Sequence, residues 1–137
     1  VFKKILVPVD LGHLDRLQKA LTVAATEARQ HGASVVYMGV TEETPGDVAH
    51  NPKEYEAKLA AFSAEQASTH GIKTEALPVV STDPAVEINK LILRAVSDCG
   101  ADLVVMASHP PRMLDWILAS HGGHVAEHAE ISVFVVR

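Results

Sequence analysis

Hydrophobic residues follow two alternating patterns along the chain. Short apolar runs occupy Phe2–Val9, Ala33–Val40, Thr74–Val80, Asp102–Ala107 and Ile131–Val136. They are rich in Val and Ile, which suit a pleated, packed surface. ILVPV, LVVMA and VFVVR are almost continuously apolar rather than alternating. Strands of a parallel sheet covered by helices on both faces read that way.

Longer segments of helical period lie between these runs. In the first, Leu14, Leu17, Leu21, Ala24, Ala25 and Ala28 share one face, and His31-Gly32 ends it. Glycine is the usual residue just past a helix end. The second runs from about Pro52 to Thr69, with Tyr55, Leu59 and Phe62 apolar and Gly71 after it. The third starts at Asp83-Pro84, a cap followed by proline, and stops at Cys99-Gly100. A fourth lies between Trp116 and Ala129. Thr41–Asn51, with Pro, Gly and three acidic residues, is predicted to be a mobile loop.

The order β-α-β-α-β-α-β-α-β predicts an α/β three-layer sandwich with a five-stranded parallel sheet joined by right-handed crossovers. At roughly 100–200 residues per domain, the 137 residues form a single domain, 1–137.

Composition narrows the function classes. The chain carries 12 basic and 17 acidic residues, a net charge of −5, and only 4% aromatics. That counts against a nucleic-acid binder built on basic patches and stacking platforms. One cysteine excludes an internal disulfide framework and a Cys-based zinc site. No run reaches the ~18 apolar residues of a membrane span. VFKKILVPVD lacks the long apolar core and cleavage site of a signal peptide. These features predict a cytoplasmic protein with no nucleic-acid or membrane partner.

Open parallel sheets bind ligands beyond the carboxyl ends of their strands, where the strand order reverses. With the first strand central, Pro8-Val9-Asp10 faces Met106 to Arg112 there. Asp10 can accept from a ribose hydroxyl or an exocyclic amine, or it can cap the following turn.

Several stretches together resemble the universal stress protein family: KKILVPVD at the start, Gly39-Val40, Ala101 to Met106, an Ala-Ser pair at 119–120 and a terminal H-A-x-x-x-V-x-V-V-R at 128–137. The resemblance spans the whole chain and implies strand order 3-2-1-4-5, an adenine nucleotide alpha hydrolase-like fold. Nucleotide-binding members carry G-x-x-G-x(8 or 9)-G-[S/T] after strand 4. Glycines there let backbone N–H groups approach phosphates beside a helix N-terminus. Here the glycine positions hold Ala107, Pro110 and Ala119, followed by Ser120. Pro8, Val9, Asp10, Val40 and Met106 fall on the adenosine side, and His109, Arg112 and His121 can supply side-chain donors to phosphate. The glycine-poor loop resembles one bacterial subgroup of the family.

These departures have consequences. The methyls of Ala107 and Ala119 oppose a close backbone approach, and Pro110 and Pro111 have no N–H to give. AMP or ADP is therefore favoured over ATP, with Mg required only for a triphosphate. Two readings stay open: a stress-response sensor of adenine nucleotide, and a nucleotide-free member acting through protein–protein contacts. The family also pairs its last strand with a twofold mate. That implies a homodimer through Val133, Phe134, Val135 and Val136, and it would cover an otherwise exposed apolar edge.

Other features carry less. His121-Gly122-Gly123-His124 matches the H-x-G-H of nucleotidyl transferases but stands near the wrong end of the chain. His121, His124 and His128 share a helical face, without a carboxylate shell that would argue for metal. Cys99 lies at a helix C-terminus, where a thiolate is not stabilised. No nucleophile–base–orienter set emerges, so no catalytic residue is assigned and hydrolysis of ATP would be slow at most.

Overall fold

The computed structural model describes residues 1–108, 125 and 128–137. One five-stranded sheet contains β1 (Lys4–Val9), β2 (Ser34–Thr41), β3 (Thr74–Val80), β4 (Leu103–Ala107) and β5 (Ser132–Val136). Its order is β3-β2-β1-β4-β5, and every pairing is parallel. The expected α/β topology is therefore present, with each strand bound within two residues of its predicted place.

Helices cover both faces. α1 (Gln18–His31) and α2 (Pro52–His70) pack on one side, where Leu21, Ala24, Leu59 and Phe62 meet Ile5, Val7, Val35 and Val105. α3 (Pro84–Cys99) packs on the other, where Ile92 and Ala95 meet Leu6, Val36 and Val104. Val125 joins that second core; Val125 and His128, in the predicted fourth helix, are both helical. The rest of 109–127 lies outside the described residues, Trp116 included. Among the described residues, no helix is long and apolar enough to cross a membrane.

The helix stops fall where glycine predicted them. Gly32 and Gly100 take φ of 67° and 72°, a left-handed conformation that costs a residue with a Cβ. The starts are less regular. The first helical pattern was expected from Leu14, but Leu11–Arg16 is a 3₁₀ segment broken at His13, and α1 begins only at Gln18. Asp10 caps that segment and draws His13 back toward itself, so the chain cannot enter an α-helix directly. Asp83 precedes Pro84 as expected, yet its side chain makes no capping bond. Glu87 instead accepts from the Ser81 hydroxyl and the Asp83 N–H, which hold its carboxyl below the usual range.

Tyr37 is fully buried in β2, edge-on to Phe62 at 5.1 Å. Its hydroxyl has no hydrogen-bond partner among the described residues. Burial pushes its pKa up to about 12. The unfolded chain therefore loses this proton first as pH rises past 10, and Tyr37 erodes stability between there and its folded pKa. Tyr37→Phe is expected to be neutral to about 1 kcal/mol stabilising at pH 7, with the advantage growing above pH 10. Unfolding midpoints measured across pH test this; destabilisation at pH 7 would show that the hydroxyl is paired.

Candidate functional site

The sheet opens at one place. β1 pairs with β2 along its whole length, from Lys4↔Ser34 to Val9↔Gly39. Against β4 it pairs only at Ile5↔Leu103 and Leu6↔Val104. β4 continues to Ala107 paired with β5. Beyond Leu6, then, β1 and β4 have no ladder between them, and Pro8, with no N–H, cannot restore one. This is also where the strand order reverses, the position at which open sheets bind ligands.

Asp10 stands at the mouth of this cleft. Its Oδ1 accepts the Gly12 N–H at 3.0 Å, and its Oδ2 lies 2.8 Å from His13 Nδ1. Against an acceptor-only carboxylate, that imidazole nitrogen must be the donor. Both side chains remain about two-fifths exposed, 45% for Asp10 and 40% for His13. Each carboxylate oxygen keeps one lone pair free for a ligand. The capping reading and the ligand reading of Asp10 are therefore compatible.

The other predicted residues divide into three groups. Val9, Met106 and Ala107 are buried, Pro8 and Val40 half-buried, all at the carboxyl ends of β1, β2 and β4. Ala107 turns its methyl into the α1–α2 core. The next amide, Ser108 N–H, donates to the Val136 carbonyl at 2.7 Å and is spent within the sheet. His109, Pro110, Arg112, Ala119, Ser120 and His121 lie outside the described residues, as does His124. Among the described residues, no cluster of His, Cys, Asp and Glu could hold a metal. Cys99 is a free, half-buried thiol packed against the α3 core.

Two residues near Asp10 were not singled out from the sequence. His13 is one. Tyr55 is the other, read only as an apolar member of α2. Its ring crosses Gly39 so closely that a Cβ at position 39 would lie 3.0 Å from Cε1 and Cζ, and nearer still to the hydroxyl. An isolated glycine inside a Val-rich strand was the available signal, since it marks a close approach. Burial, then the charge of Asp10, raise the Tyr55 pKa, so its hydroxyl stays protonated as a donor.

The start of α2 positions Tyr55. Asn51 caps it by accepting the Glu54 N–H at 2.8 Å. Glu54 reaches back to the His50 N–H and ring, contacts that lower its carboxyl pKa. Ahead of it, the 41–51 loop buries Ala49, and its Val48 carbonyl accepts from Lys58. A shallow groove of about 550 Å³ lies beside this loop, over Leu11, Leu14, Val48 and Phe62. Asp47, Lys58 and Glu65 line it as well, and it reaches Gly12, whose N–H is bound by Asp10.

An open parallel α/β sheet whose strand order reverses at β1 and β4 belongs to the doubly wound class of folds, which take ligands at that point. Comparison with known proteins makes the assignment specific. The sequence model of the Universal stress protein family matches residues 2–137, and the chain belongs to that family. Universal stress protein G of Salmonella typhimurium is 26% identical over the full length of both chains. A universal stress protein solved in complex with cAMP superposes with a TM-score of 0.74 at 19% identity, covering 99% of this chain and 97% of that one. The Archaeoglobus fulgidus universal stress protein in complex with dAMP gives 0.68 at 22% identity, covering 100% and 99%.

Proposed function

We propose that this protein binds an adenine nucleotide in the cleft that opens between β1 and β4 beyond Leu6. It then acts as a stress-responsive sensor in the cytoplasm. The observation that carries the reading is the lost β1–β4 ladder with the half-exposed Asp10 carboxylate at its mouth. Asp10 takes the adenosine part. The complexes of related proteins with cAMP and dAMP support the ligand class. A monophosphate or diphosphate suits the chain better than ATP, because Pro110 and Pro111 offer no N–H and Ser108 has already spent its own. Calorimetry with AMP, ADP and ATP, the last with and without Mg, tests this. Saturable binding with AMP or ADP at least as tight as ATP is expected; no heat at millimolar nucleotide would defeat the reading.

A nucleotide-free role through protein contacts is the second reading, and the spent Ser108 amide is what favours it. Both readings include a homodimer through β5. That strand pairs with β4 alone among the described residues. Phe134 is 42% exposed on it, Val133 and Val135 are half-buried, and Val136 is buried. An uncovered apolar edge is a pairing surface. A dimer mass in solution is expected, and Phe134→Lys should shift the population to monomer. A wild-type mass that stays monomeric at all concentrations would contradict it.

A further inference from the structure

We infer that Tyr55 reads the base, its hydroxyl donating to N1 of adenine while Asp10 accepts from the exocyclic N6 amine. This rests on the nucleotide reading above and specifies its chemistry.

Gly39 pairs in register with Val9, the residue before Asp10. Tyr55 lies across Gly39. The hydroxyl and the carboxylate therefore arrive at the carboxyl ends of adjacent strands, one from α2 and one from β1. The hydroxyl makes no hydrogen bond among the described residues and is the Tyr55 atom nearest Gly39. The ring is 4% exposed and belongs to the core that covers β1 and β2, so the donor is held in a fixed position.

A fixed donor beside a fixed acceptor is a two-point reader. The Watson–Crick edge of adenine offers an acceptor, N1, next to a donor, the N6 amine. Hypoxanthine and guanine reverse both, with a protonated N1 and an O6 acceptor. The reversed edge would put O6 against the Asp10 carboxylate. Sites that hydrogen-bond a polar group reject analogues that leave their own groups unpaired. The charge of Asp10 also disfavours ionisation of Tyr55, which keeps the hydroxyl a donor.

The test combines one variant with three ligands. Wild type and Tyr55→Phe are titrated with AMP, 1-deaza-AMP (which lacks the N1 acceptor) and IMP. In wild type, AMP should bind about five-fold more tightly than 1-deaza-AMP, the size of one net hydrogen bond. In Tyr55→Phe that ratio should fall to near one, and the AMP/IMP preference should narrow. The phenyl ring keeps the contacts over Gly39, so the unfolding midpoint should stay at or above that of wild type. A merely structural tyrosine would change the midpoint and leave the ligand ratios alone. If wild type binds AMP but Tyr55→Phe keeps both ratios within two-fold, the inference is overturned and the nucleotide reading stands. If wild type binds none of the three at millimolar concentration, both fall together.

Discussion

Asp10→Ala is expected to weaken AMP binding at least about ten-fold, the loss for removing a charged hydrogen-bond partner, and to cost roughly 1 kcal/mol of stability as a lost cap. The two effects have separate origins. The stability loss comes from the Gly12 N–H, which loses its acceptor, and from His13, whose ring is no longer oriented. The affinity loss comes from the free lone pairs facing the cleft. Asp10→Asn separates them, because the amide oxygen can still take the Gly12 N–H while the charge is gone. It should fold to within about 0.5 kcal/mol of wild type, since Asn caps as well as Asp, yet still bind AMP more weakly. Denaturant unfolding and calorimetry on both variants provide the check. AMP binding that survives Asp10→Ala would place the adenosine contact elsewhere.

Gly39→Ala is expected to destabilise the protein by about 1–3 kcal/mol, the usual cost of overpacking, and to weaken AMP binding as well. The new methyl would meet Cε1 and Cζ of Tyr55 at 3.0 Å and the hydroxyl closer still. Tyr55 has little room to withdraw, being 4% exposed and held by a helix start fixed through Asn51 and Glu54. Because the hydroxyl is the nearest atom, adding Tyr55→Phe should recover part of the lost stability. Contacting residues are expected to be non-additive in this way. Strict additivity between the two changes would mean that the ring does not lie over Gly39 in solution.

These expectations show which parts of the protein were legible in the sequence. The strands and their order of appearance were, because strands buried on both faces must be apolar throughout, as ILVPV and LVVMA are. Helix ends were legible where glycine alone fits the exit, as at Gly32 and Gly100. The start of α1 was not. Its period continues through Leu14, and a period cannot show that Asp10 would bind Gly12 and His13 and divert the chain into a 3₁₀ turn. Asp10 was singled out with a capping role and a ligand role both open, and the structure shows the cap. Tyr55 was not, because at helical spacing it reads as one more core residue. Only its meeting with Gly39, sixteen positions earlier in the chain, sets it beside the carboxyl ends of β1 and β2.

Backbone amide shifts of the isotope-labelled protein during an AMP titration test the central claim most directly. Saturable changes are expected at Val9, Asp10 and Gly12 beside β1, at Gly39 and Val40 on β2, and at Ala107 and Ser108 beyond β4. Shifts confined to the β5 edge or to the groove over Leu14 and Phe62, or none at millimolar AMP, would contradict a nucleotide site between β1 and β4.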